Sequence, residues 1–250
     1  MMAAVPERFA LIIPALNEEA AIGPTLDSLR GALPRHSESA LAYEESFLTQ
    51  LIVVDNGSTD LTAEVARAHG AQVVREHRRG YGSACLAGIA ALQQEITVVA
   101  FMDGDGSDDP ADLPALLGPI VRGEADMVLG SRVLGERETG ALALQQRFGN
   151  ALAAGLLRFL YGTRYTDLGP FRAIRRDALD RLGMRDPNYG WTIEMQIKAA
   201  RHGLRVLEIP IRYRVRRAGK SKVSGTIRGS VSAGAKIIWT IFRYAWRAGN

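Results

Sequence analysis

Two carboxylates one residue apart, Asp103 and Asp105, end the apolar run Val98-Val99-Ala100-Phe101-Met102. With only Gly104 between them, the backbone can approach a ligand closely, and both acids can address that ligand and one hard divalent cation. A metal held there, with Asp105 as its ligand, would neutralise a diphosphate. The same residues are also turn chemistry, because Asp-Gly and Ser107-Asp108-Asp109-Pro110 suit caps and tight turns. They do not make a calcium loop. Counted from Asp103, the sixth position is Asp108 where glycine is needed, and the twelfth is Pro114 where glutamate is needed.

A second apolar run, Leu51-Ile52-Val53-Val54, also stops at an acid, Asp55, and leads into Asn56-Gly57-Ser58-Thr59-Asp60. Cations follow later. Arg132 closes the run 126–130, Arg147 and Arg172 stand further along, and Lys220-Ser221-Lys222 follows Gly219. Such groups can bind a phosphate, whereas Arg147 and Arg212 are equally well read as solvated charges. Asp167 and Glu194 are candidate general bases for a hydroxyl acceptor; their plainer roles are a turn cap and an acid in a first helical turn. Trp191 suits a sugar, a lipid or the core.

These residues need a scaffold that brings strand ends together. Phe9 to Pro14, Leu51 to Asp55, Gln72 to Val74 and Val98 to Met102 read as short buried strands, and the segments between them read as helices. Three β-then-α units before residue 100 predict an α/β fold with a mostly parallel sheet flanked by helices, whose ligands bind beyond the carboxyl ends of the strands. Later strands are expected at 126–130, near Phe171-Arg172 and at 205–214, the last broken by Pro210. Gly80-Tyr81-Gly82-Ser83-Ala84-Cys85 has Cys85 where the dinucleotide fingerprint needs its third glycine, and no Walker A motif occurs. A glycine-rich loop touching phosphate or ribose still fits.

At 250 residues and 47% hydrophobic content the chain can bury a full core. Its one cysteine, Cys85, excludes an internal disulfide and points to a reducing compartment. No run of about 18 apolar residues and no secretory leader pattern is present, so the expectation is a cytoplasmic protein, or one peripheral on the cytoplasmic face of a membrane. The net charge of +4 is unevenly shared. Residues 201–250 hold twelve Lys or Arg and one acid, Glu208 (+11), while the first 200 hold 19 basic and 26 acidic residues (−7). Such a tail attracts phosphorylated ligands, anionic lipid or nucleic acid. Residues 230–247 put Ile237, Ile238, Trp239, Ile241, Phe242, Tyr244 and Trp246 among Lys236, Arg243 and Arg247, the pattern of an interfacial helix or of a helix packed on the body.

The chain resembles the inverting family 2 glycosyltransferases of GT-A fold, most closely the dolichyl- or polyprenyl-phosphate sugar synthases. The resemblance spans about residues 8 to 228. It rests on Pro14-Ala15-Leu16-Asn17-Glu18, Asp55 to Asp60, Gly80-Tyr81-Gly82, Asp103 to Asp105, Gly130-Ser131-Arg132, Asp167 to Arg172 and Gly219-Lys220-Ser221-Lys222. It implies a UDP- or GDP-sugar donor, Mg2+ or Mn2+, and a polyprenyl phosphate acceptor, with no nucleic-acid partner and with homo-oligomerisation left open. On this likeness Pro14, Ala15, Asn17 and Glu18 edge the nucleotide pocket, Asp55 meets base or ribose, and Gly80, Tyr81 and Gly82 join the donor site. Asp103 with Gly104 then meets ribose or sugar, and Asp105 the metal. Two departures stand out: Ser107-Asp108-Asp109-Pro110 follows the acid pair where many relatives carry Gln-His, and Pro170 replaces a common serine. A glycosyltransferase domain over 1–225 and a basic amphipathic helix over 226–250 are expected. The alternatives are transfer to a soluble or glycan hydroxyl and a non-catalytic nucleotide-sugar binding module.

Overall fold

The computed structural model describes residues 7–32, 48–217 and 227–246, the last stretch with side chains from residue 234. Seven strands form one sheet: β1 (Phe9–Ala15), β2 (Leu48–Asp55), β3 (Gln72–Arg75), β4 (Val98–Phe101), β5 (Met127–Ser131), β6 (Arg172–Arg175) and β7 (Val206–Pro210). Their order is β3-β2-β1-β4-β6-β5-β7, and every pair is parallel except those made by β6, which is antiparallel to both its neighbours. The mostly parallel α/β sheet is as the sequence predicts. The reversed direction of β6 has no counterpart in the apolar pattern.

Alternation explains why the strands read as unbroken apolar runs. Leu11 and Ile13 of β1 and Val98 and Ala100 of β4 enter one core, while Ala10, Ile12, Val99 and Phe101 enter another on the opposite face. Both faces are therefore covered. The first core is closed by α1 (Glu19–Ala32), α2 (Thr62–Ala68) and α4 (Leu113–Val121), through Leu26, Leu29, Ala66, Leu116 and Ile120. The second is closed by α3 (Tyr81–Ala90), α6 (Arg176–Leu182) and α7 (Trp191–Arg201), with Cys85, Leu179 and Met195 buried. Trp191 belongs to this core. Fully buried, it lies 4.7 Å from Phe101 and 6.0 Å from Tyr81, both edge-on, so it does not meet a sugar or a lipid.

A third, smaller core lies outside the sheet. The outer side of α7 (Ile193, Ile197) packs with α5 (Leu144–Tyr161) through Ala153 and Leu157, and with α8 (Ile227–Trp246) through Ile241. The C-terminal amphipathic helix thus rests on the body along one face. Trp239, Phe242 and Trp246 remain exposed on another.

Two features position the site. The chain crosses from β3, at one edge, back to β4 on the far side of β1, which creates a switch point between β1 and β4. Ligands bind at that place in open sheets of this kind. The last strand also ends earlier than the sequence suggests: β7 stops at Pro210, which pairs with Ser131 at the sheet edge. Residues 211–217 continue as a strap over the acid loop, where the Arg214 amide donates to the Ser107 carbonyl (2.8 Å) and the Arg217 amide to that of Asp105 (3.3 Å).

Candidate active site

A cleft of about 780 Å³ opens at the carboxyl ends of β1, β4 and β5. Its floor holds Pro14, Ala15, Asp103, Gly104 and Asp105; Gly80, Tyr81, Asn188 and Tyr189 stand on one wall, and Arg132 and Tyr213 to Arg216 on another. A Cβ on Gly104 would sit 3.1 Å from Ile13 Cγ2 and 3.3 Å from Ile22 Cδ1, so a side chain there would crowd the acid loop against α1.

The carboxylates converge. Asp105 accepts from the Ser107 amide (2.9 Å) and hydroxyl (2.5 Å) through Oδ1, and its Oδ2 meets Arg216 at 2.9 Å. Asp108 accepts from the Asp103 amide (3.2 Å) through Oδ2, while its buried Oδ1 has no hydrogen-bond partner. Burial, reinforced by the charge of Asp105, pushes Asp103 up to about 7. Burial, then Asp103 and Asp105, holds Asp108 well above the usual carboxylate range. Asp108 does not line the cleft; it is buried under the acid loop and supports the Asp103 backbone from below. The sequence places it in a turn and as a departure from the relatives' motif, and the turn at Gly106 (φ 76°) brings it back under Asp103.

These acids suit a divalent cation. Among the described residues no three His, Cys, Asp or Glu side chains form a metal cage. Asp103 and Asp105, the two acids of this loop that line the cleft, are hard oxygen donors of the kind a Mg2+-like ion combines with phosphate oxygens and water. Asp105, with Asp103 beside it in the cleft, is the residue that would hold it, and its charge would stabilise a leaving diphosphate.

Around them stand cations, held by other acids. Arg132 forms a bidentate pair with Asp167, Nε to Oδ2 and Nη2 to Oδ1 at 2.8 Å each, and its own amide donates to Oδ2 at 2.8 Å. Burial raises the Asp167 carboxyl, and Arg132 more than offsets this, leaving it below the usual range. Asp167 therefore orients Arg132, and its oxygens are committed to that task. Beyond Arg132, Arg214 pairs with Asp109, and Arg212 with Asp109 (3.2 Å) and Asp112 (2.8 Å). Arg212 is thus paired yet exposed, and Arg214 is half-buried.

Several expected site residues lie elsewhere. Glu194 is wholly buried and away from the cleft lining, accepting from the amides of Arg185 and Asp186 (2.7 Å to the latter), from Tyr244 Oη (2.6 Å) and from Lys198 Nζ (2.7 Å). Burial alone would raise it; those partners lower it instead. It is a brace and not a base. Arg172 is buried beneath the cleft, stacks 6.0 Å from the Trp191 ring and donates to the carbonyls of Gly169, Leu168 and Thr192 (3.1 Å to the last). Burial pushes it down to about 10, and it pins the 167–170 loop to α7 without reaching a ligand. Arg147 is exposed on α5 and does not line the cleft, whereas its neighbour Gln146 does. Lys220, Ser221 and Lys222 lie outside the described residues.

The nucleotide-side residues divide similarly. Glu18 lines the cleft, but Asn17 reaches sideways: with φ 51°, it receives the Thr59 amide on Oδ1 (2.8 Å) and ties the β1 loop to the β2 loop. Asp55 receives the Ser58 amide (2.8 Å) and faces a second, smaller cleft, with Asn56 facing the main one. The Gly80-Tyr81-Gly82 turn is packed on protein on one side, while Gly80 and Tyr81 line the cleft on the other. A Cβ on Gly82 would fall 1.9 Å from the Asp186 carbonyl, and one on Gly80 2.2 Å from that of Pro187. The loop that Glu194 braces thus lies directly on this turn.

A model of glycosyl transferase family 2 matches residues 10–183. The chain belongs to that family. It is 40% identical over 225 residues to an uncharacterised glycosyltransferase of Mycobacterium tuberculosis, covering 89% of this chain and 93% of that one. It is 32% identical to an undecaprenyl-phosphate mannosyltransferase of Micrococcus luteus (89% and 90% covered) and 31% identical to a dolichyl-phosphate hexose transferase of Haloferax volcanii (92% of each). Among solved structures, glucosyl-3-phosphoglycerate synthase of Mycobacterium tuberculosis, in complex with Mn2+, UDP and phosphoglyceric acid, superposes with a TM-score of 0.74 at 25% identity, over 96% of this family 2 chain and 78% of the other. The GT-A-like α/β architecture and the place of the acid pair at the strand ends accord with a divalent-metal enzyme.

Proposed function

We propose that this glycosyltransferase moves a hexose from a UDP- or GDP-sugar to a polyprenyl phosphate, by direct inverting displacement aided by Mg2+ or Mn2+. The observation that carries the acceptor is α5. Its start, with Ala143 just before it and Gln146 in its first turn, forms the rim of the cleft, and from that rim Leu144, Phe148, Leu152 and Phe159 run along the helix exposed at 77%, 73%, 41% and 85%. Residues 139–166 contain three arginines and no acid. On α8, Trp239, Phe242 and Trp246 are exposed, and Lys236 (4.5 Å) and Arg243 (5.0 Å) stack on Trp239. Apolar side chains ringed by cations suit an anionic lipid surface, and here such a surface begins at the mouth of the site.

The cleft's charge supports the same reading. A lipid phosphate is anionic already and needs cations rather than a base, and Arg79, Arg132 and Arg214 line the cleft. Asp167 and Glu194, the bases a hydroxyl acceptor would have used, are bound to Arg132 and to Lys198 with Tyr244. No described helix is long and apolar enough to cross a membrane, so the lipid would be met at its surface. Two relatives are named for transfer to polyprenyl phosphates, and the structural neighbour is complexed with UDP and Mn2+.

Organic-phase partitioning of labelled sugar tests this, with UDP-glucose and GDP-mannose offered in turn with Mn2+ and undecaprenyl phosphate. Label entering the lipid phase is expected. Label retained in water while phosphoglycerate or another soluble acceptor is glycosylated would overturn the lipid reading.

A further inference from the structure

Arg216 occupies a position that neither the family motifs nor the charge count singles out. It sits on the 211–217 strap, mostly buried at the cleft wall, with Nη1 2.8 and 2.9 Å from the two Glu18 oxygens and Nη2 2.9 Å from Asp105 Oδ2. Since Asp105 Oδ1 is spent on Ser107, Oδ2 is the oxygen through which Asp105 would take a cation. Arg216 already holds it. The contact follows from the fold: backbone bonds from Arg214 to Ser107 and from Arg217 to Asp105 fasten the strap to the acid loop on either side of residue 216. Asp103, Asp105 and Asp108 together would be costly to bury without a counter-charge.

We propose that Arg216 is the resident counter-cation of this site, displaced from Asp105 when a divalent metal binds and transferred to the diphosphate that arrives with it. A metal and a guanidinium sharing one carboxylate oxygen repel each other, so binding of the ion alone works against Arg216. Once a nucleoside diphosphate is present, the displaced guanidinium has a new anion within the same cleft, and the strap need not unfasten for it to turn. Metal and nucleotide are then coupled through one side chain, and each tightens the other by the same factor.

The test is Mn2+ binding to the full-length protein, followed by the electron paramagnetic resonance of the free ion, without and with UDP. For Arg216→Gln, Mn2+ alone should bind about tenfold tighter, and the tightening of Mn2+ by UDP should shrink about tenfold, an amount that corresponds to roughly 1.4 kcal/mol. Arg216→Met, which keeps the aliphatic stem, replaces the Gln variant if that fails to fold. Asp105→Asn should lose the Mn2+ site altogether. Mn2+ binding that is equal or weaker without Arg216, or coupling to UDP that is undiminished, would overturn the proposal. No acceptor enters the assay, so the result is independent of whether the sugar goes to a lipid.

Discussion

At the scale of single residues, the site is a set of acids and arginines that satisfy one another, and this sorts chemistry from support. Asp167 supports. Replacing it with Asn leaves Arg132 a buried, half-paired cation, which should cost about 3–5 kcal/mol of stability. The pH dependence has a definite sign. Asp167 and Glu194 titrate below their ordinary values in the folded chain, so their stabilisation is complete above about pH 5 and is lost as pH falls through about 4 and then through the depressed native values. The wild-type advantage in urea midpoint over Asp167→Asn should therefore be constant from pH 6 to about 5 and shrink from there to pH 3; an advantage that does not change with acid would mean that the ionised pair contributes nothing. The sequence showed Asp103, Asp105 and Arg132 because each ends an apolar run. It could not show that Glu194 faces inward, since a first-turn acid reads alike whether solvated or braced. The spacing Arg212-Tyr213-Arg214-Val215-Arg216 is an alternation of cations along an extended strap, and it acquires meaning only once that strap is known to lie on the acid loop.

At the scale of elements, α5 is where sequence reading fell furthest short. Its amphipathic period was plain, but periodicity does not say which apolar residues are covered: Ala153 and Leu157 are buried while Phe148 and Phe159 are bare. The C-terminal helix is legible as amphipathic; one face packs on the body through Ile241, and Trp239, Phe242 and Trp246 are exposed on another. A consequence belongs to this pair of helices. Vesicles rich in phosphatidylglycerol should carry the wild-type protein upward in a density gradient, and neutral phosphatidylcholine vesicles should not. Serine at Phe148, Phe159 and Trp246 together should abolish flotation while barely altering the melting temperature, because those side chains contribute little to the core. Flotation that survives the triple change would remove α5 and α8 from any lipid contact. A loss that is accompanied by dissociation of a dimer, seen by light scattering, would assign the face to a second copy of the chain instead.

At the scale of the whole molecule, the parallel sheet and its acid-bearing edge could be read from four apolar runs and their spacing. The direction of β6 could not, because a strand buried on both faces carries no mark of its polarity. That strand has a consequence in time. β1, β2, β3 and β4 can pair once residue 101 is made; Asp55 ends β2, and Asp103 and Asp105 follow β4 within four residues. β5 must wait for β6, made some forty residues later, before it is joined to the rest, and the strap that brings Arg216 comes later still. The growing chain therefore exposes the edge of β4 and a cluster of acids without their partner cations until well past residue 175. Pulsed hydrogen exchange during refolding should protect β1 and β4 amides ahead of those in β5 and β7, and simultaneous protection would refute that order. Synthesis thus delivers the negative half of the site first and its neutralising strap last, so until residue 216 is made only water and ions stand in for the strap arginines at the acid loop.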